Sequence, residues 1–136
     1  MQDAIMSIGV GTVAWFLVAG MLFFNPVVDR LYRTEEGHPA VRALPQGPKT
    51  IGMIIAAVFV QTLLWAGVYV VIEPALGDSL LSRGLMFGGI LVAIKIVPRD
   101  IDRLLLTTYP KLRMTIEFVI GIVCAMVTGL TFAWLL

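Results

Sequence analysis

Two ionisable residues sit inside stretches that are otherwise apolar: Lys95 in LVAIKIVP and Glu117 in MTIEFVIG. A charge at the centre of a membrane helix costs on the order of 3 kcal/mol unless it is paired, neutral or near water, so each is a candidate for ion or proton chemistry. Lys95 lies three residues before Pro98 and Glu117 four after Arg113. At about 1.5 Å per residue both fall roughly 5 Å inside the inner boundary of their segments. Two ion pairs are open, Lys95 with Glu117 across neighbouring helices, or Arg113 with Glu117 one turn apart on the same helix. A shallow salt bridge is the preferred expectation, because ion and proton pathways usually place an acid near the bilayer midplane, where this sequence has none.

Gln61 is the one amide near the middle of an apolar stretch. It could line a pore, but an interhelical hydrogen bond to Thr12, Thr128 or a backbone carbonyl is its commoner fate. Trp15 and Trp65 lie deeper than an interfacial belt; packing is preferred for them over contact with a quinone, pigment or lipid, so the sequence assigns no cofactor. His38 has Glu35 and Glu36 beside it in TEEGHP. A proline-bounded loop of that kind gives metal ligands no fixed geometry, and no metal site is expected. With one histidine, a bis-histidine haem cannot form within one chain. No serine, histidine and acid set, cysteine pair or glycine-rich phosphate loop stands out, so no catalytic residue is assigned and an enzyme is the less favoured class.

Apolar runs must position these groups. Four of them, about 4–24, 51–72, 80–97 and 112–136, each approach the roughly 20 residues needed to cross about 30 Å of hydrocarbon. They are continuous rather than alternating, which selects helices, and all seven prolines fall between them. The fold class is therefore an all-α integral membrane protein: a single domain over 1–136, a four-transmembrane-helix antiparallel bundle made of two helical hairpins. Gln2 and Asp3 replace the positive start of a signal peptide, so the first run is expected to remain as a helix. Cys124 lies within the fourth run and is read as a small packing residue.

Charge sets the expected orientation. Arg30, Arg33, Arg42 and Lys49 separate the first two runs; Arg99, Arg103, Lys111 and Arg113 separate the last two, with Lys95 adjoining. Arg83 is alone on the other side. Loops 25–50 and 98–111 are thus cytoplasmic and both termini outside, in a membrane read as the bacterial cytoplasmic (inner) one. Pro98 and the Asn25–Pro26 pair are read as stops of the two inward helices, PVVDRLYR as a short surface helix, and Tyr32 and Tyr109 as interfacial anchors. The two inner segments echo each other, Pro26, Asp29, Arg30, Leu31, Pro48 and Lys49 against Pro98, Asp102, Arg103, Leu104, Pro110 and Lys111. Shared topological demands explain that echo better than duplication.

Helix association in lipid depends on small residues. Gly121, Ala125, Gly129 and Ala133 form a ridge on the fourth run, and Gly84 and Gly88 one on the third. Intrachain packing is their first use, yet two such faces suggest a homo-oligomer or docking on other membrane subunits. The net charge of +1 implies no nucleic-acid partner, which leaves membrane lipid and membrane protein. Three classes of function follow: a non-catalytic membrane subunit or scaffold, favoured; a small oligomeric channel or transporter using Glu117, Lys95 and Gln61; and a cofactor-binding or enzyme subunit. The charge asymmetry predicts that a reporter fused after Leu136 is active only when its fold tolerates the outer face, and a cytosolic signal would overturn the assignment.

Overall fold

The computed structural model describes residues 2–136, with side chains from Ile5 onward. The side chains of Gln2 and Asp3, on which the signal-peptide argument rests, lie outside that range. All regular structure among the described residues is helical: α1 (Gln2–Phe23), α2 (Pro26–Arg33), α3 (Pro48–Ile72), α4 (Leu80–Leu91), α5 (Val97–Leu106) and α6 (Lys111–Leu135). Four stretches are long and apolar enough to cross a membrane, Ile5–Phe23, Pro48–Ala75, Leu80–Leu106 and Lys111–Leu135.

Local chemistry sets the ends. Asn25 accepts from the Val27 N–H at 2.8 Å and Pro26 occupies the first turn, so α2 begins afresh after α1. Gly47 (φ 154°) opens α3 with Pro48 following it. Beyond α3 a short 3-10 turn, Glu73–Ala75, leads to Gly77 at φ 97°, a left-handed conformation that glycine adopts without strain. Ser79 then caps α4 through the Ser82 N–H at 3.1 Å, and Arg83 reaches back to Glu73 at 2.5 Å to brace the turn.

The third membrane-length stretch departs from expectation. Pro98 does not end it: α4 runs through a single π turn, Val92–Ile96, directly into α5. In that turn the Val97 N–H bonds Val92 O, five residues back, and the widened register delivers Pro98 to the first turn of α5, where its missing N–H costs nothing. Segment 98–111, expected to be loop, is therefore largely helix. Buried residues record the same insertion: Gly84 and Gly88, and Phe87 and Leu91, are four apart, Ile96 follows Leu91 by five, and Asp100 follows Ile96 by four.

Packing centres on α6, which lies between α1 and α4, while α3 leans on α1. Of the best membrane-length window, 39% is buried in α6 but only 17% in α3, so α3 is the peripheral helix. The small-residue ridges of α4 and α6 are spent on one another. A Cβ at Gly129 would collide with Gly84 O and come within 2.7 Å of Gly88 N; one at Gly84 would stand 2.9 Å from the Leu130 Cα, and one at Gly88 2.9 Å from the Met126 Cα. Ala125 and Ala133 are buried in the same seam, and Gly121 receives Ile96. The glycines of the two faces are thus in contact within the chain.

Beside the seam, Tyr69 of α3, Phe87 of α4 and Phe132 of α6 form a triangle with centroid separations of 5.0, 5.9 and 6.0 Å, Tyr69 and Phe87 meeting edge to face. Gly11 lets α1 approach this cluster, since its Cβ would lie 2.8 Å from the Phe132 ring. Replacing Gly129 with Leu is expected to cost about 2 kcal/mol or more through overpacking of the backbone seam. Gly89→Ala, with nothing near the added carbon, should be neutral or slightly stabilising. Thermal unfolding of both variants in mild detergent measures the contrast.

Candidate functional site

Polar side chains gather where α2, α5 and the start of α6 meet, and Glu117 is their hub. Its side chain is only 16% exposed. Oε2 accepts from Arg103 Nη1 at 2.5 Å, and Oε1 accepts from the Tyr32 hydroxyl at 3.2 Å and from the Tyr109 hydroxyl. Three elements thereby fix one carboxylate: α5 supplies Arg103, α2 supplies Tyr32, and the turn before α6 supplies Tyr109. Such charge-assisted bonds are roughly twice as strong as neutral ones and offset the cost of burying the carboxylate.

A second carboxylate, Asp100, is buried one turn before Arg103. Arg99 grips it with both arms, Nε at 2.9 Å and Nη2 at 3.2 Å, and Arg103 stands 3.8 Å away. The continuation of the helix past Pro98 makes this row, since it places Arg103 one turn after Arg99 and Asp100. Arg103 also lies 4.5 Å from the centre of the Tyr109 ring, and Arg113 4.3 Å from that of Tyr32.

Lys95 belongs to a different constellation. From the π turn its Nζ donates to Gln61 Oε1 at 2.5 Å and stands 4.1 Å from the Trp65 ring centre and 4.8 Å from that of Trp15. The two indoles are themselves 5.1 Å apart and tilted by 56°. Trp15 comes from α1, Gln61 and Trp65 from one face of α3, so a single cation ties together three membrane-length stretches. Negative π faces and a neutral carbonyl oxygen replace the carboxylate that a buried ammonium usually seeks.

Neither expected ion pair forms. Lys95 and Glu117 line the same small cavity but hold other partners, and Arg113 donates to Tyr32 O at 2.9 Å instead of to Glu117. The Tyr32 carbonyl ends α2, where the helix dipole favours a cation. Gln61 pairs with Lys95; Thr12 and Thr128, its other candidates, donate to Ile8 O and Cys124 O four residues back in their own helices. Tyr32 and Tyr109 turn their hydroxyls inward to Glu117, whereas anchors would point them at headgroups. Trp15 and Trp65 pack, as preferred, but around a cation. His38 Nδ1 accepts from the Ala40 N–H at 3.2 Å, and among the described residues no three His, Cys, Asp or Glu side chains converge on a metal-sized site.

Arg103, Asp100, Tyr32 and Tyr109 are the members that sequence reasoning missed. The available signal was the spacing of Arg99, Asp100 and Arg103, which becomes visible once Pro98 is read as the first turn of a helix. Its hydrogen bonds join α2, α5 and α6, while Arg113 Nε is buried without a partner. No known protein family, curated protein or solved structure matches the chain.

The tyrosines give the cluster a pH signature. Burial, followed by the hydrogen bond and negative charge of Glu117, pushes Tyr109 up to about 12 from 10.0, against the opposing pull of Arg103 and Arg113. Burial and Glu117 push Tyr32 upward as well. A folded-state value above the unfolded one means that the contribution to stability is intact below pH 10.0 and declines as pH rises toward about 12, because unfolding then releases a proton. Alkaline unfolding in detergent should show this fall, and Tyr109→Phe should flatten it while lowering stability near neutrality by about 1 kcal/mol.

Proposed function

We propose that this chain is a non-catalytic integral membrane subunit or scaffold that packs against other membrane helices and lipid, in a homo-oligomer or a larger membrane complex. In this reading its four spans form two antiparallel hairpins in the bacterial cytoplasmic membrane, with both termini outside and the charged segments 25–50 and 98–111 in the cytoplasm. The observation that carries it is the contrast between a closed interior and an open exterior. The polar groups at one end are occupied by one another, and the aromatic triangle fills the space between α3, α4 and α6. By contrast α3 turns Ile55, Phe59, Leu63, Val70 and Val71 outward and buries little. An outer apolar face of this kind suits lipid and partner helices equally, and it takes over the role first assigned to the glycine ridges.

The channel or transporter reading draws less support. Gln61 accepts from Lys95, and Glu117 is committed to three donors. A cofactor-binding subunit would need Trp15 and Trp65 for its ligand, and both already face Lys95.

Mild detergent extraction followed by intact-complex mass spectrometry is expected to release the chain with further copies of itself or with other membrane chains. A single chain carrying only lipid would overturn the scaffold reading. In vesicles, Glu117→Gln should leave ion and solute flux equal to that of the unsubstituted chain; flux lost on that substitution would favour transport.

A further inference from the structure

We propose that the cavity between Lys95 and Glu117, together with the apolar groove that adjoins it between α1 and α3, binds one anionic phospholipid of the cytoplasmic leaflet. This rests on the membrane orientation proposed above and adds a defined ligand to it.

Charge provides the first argument. At this level of the fold Lys95, Arg99 and Arg103 face Asp100 and Glu117. Arg99 and Asp100 form a two-armed pair, and Arg103 holds Glu117, whose second oxygen is taken by the two tyrosine hydroxyls. Lys95 is left with a neutral amide and two π faces, and no salt bridge reaches it among the described residues. Charged side chains below a membrane surface are costly and almost always paired, and we assign the missing partner of Lys95 to an anion from outside the chain. Its ammonium has three N–H donors, and Gln61 uses one.

Shape provides the second. The cavity beside Lys95 and Arg99 has a volume of about 110 Å³, enough for a few waters or a phosphate group. It shares Trp15, Ala19 and Phe23 with a larger groove of about 420 Å³ that continues along Gly20, Ile54 and Val58. Apart from the indole N–H of Trp15, that groove offers a ligand no polar side chain. A small cationic chamber opening into an apolar channel on the outer face of two helices matches a phosphate joined to an acyl chain. An inorganic anion would have no use for the channel, whereas an acyl chain fills it with apolar contact.

The test uses the purified full chain carrying Trp134→Phe, so that fluorescence comes from Trp15 and Trp65 alone, in phosphatidylcholine vesicles with a minor fraction of bromine-labelled phosphatidylglycerol or phosphatidylcholine. The labelled anionic lipid should quench at about fivefold lower mole fraction than the labelled zwitterionic one. Lys95→Gln should bring the two together, Lys95→Arg should keep them apart, and Gly20→Leu, which fills the channel, should weaken quenching with Lys95 in place. Excess inorganic phosphate should not displace the lipid; displacement would reveal an ion site only and overturn the assignment. Equal quenching by both lipids in a chain that resists carbonate extraction would sink the lipid site alone, whereas release by carbonate would overturn the membrane reading as well. Should Lys95→Gln fail to insert, Gly20→Leu decides, since unchanged quenching there would also count against the site.

Discussion

In hydrocarbon, two helices gain little from covering leucine, so they must find their attraction in close backbone approach. Here that approach is made where Gly84 and Gly88 of α4 meet Gly129 of α6, too near for a Cβ on Gly129. Much else is arranged around keeping the two helices in contact along their length. The buried row on the α4 side must continue past Leu91 to Ile96 and Asp100 even though Pro98 intervenes, and the π turn makes the continuation geometrically consistent.

The polar architecture follows from that turn. One inserted residue brings Ile96 against Gly121 and moves Lys95 sideways, out of the α4–α6 seam and into the space between α1 and α3. Once Lys95 is occupied there, Glu117 lacks its nearest cation within the spans and turns to Arg103, delivered by the helical continuation beyond Pro98, and to Tyr32 and Tyr109. Two polar sites therefore arise where one ion pair was expected. One pairs each carboxylate with an arginine. The other leaves a positive charge at the mouth of an apolar groove.

These two sites differ in what they ask of the membrane. The Glu117 cluster draws α2, α5, α6 and the turn before α6 together, and both of its carboxylates take their counter-charge from arginines of α5. Lys95 joins three membrane-length stretches through weaker contacts and retains its charge. A helix as peripheral as α3, held by α1, by the aromatic triangle and by this one cation, has the outer surface that a scaffold would present to its neighbours.

The sequence by itself determined the class of protein. Runs of membrane length with few or no charges, and prolines confined between them, specify four apolar helices, with boundaries that agree with the structure to within a few residues except at Pro98. It also marked Lys95, Glu117, Gln61 and the glycine ridges as the residues that matter, because a charge, an amide or a missing side chain in an apolar helix is legible without coordinates. Only the tertiary structure decided their partners. Helix phase is set by the whole length of a packed seam, and a single π turn shifts every later residue by a fraction of a turn; nothing local in VAIKI announces it. For the same reason the donors to Glu117, which come from three separate elements, could not be read from spacing along α6.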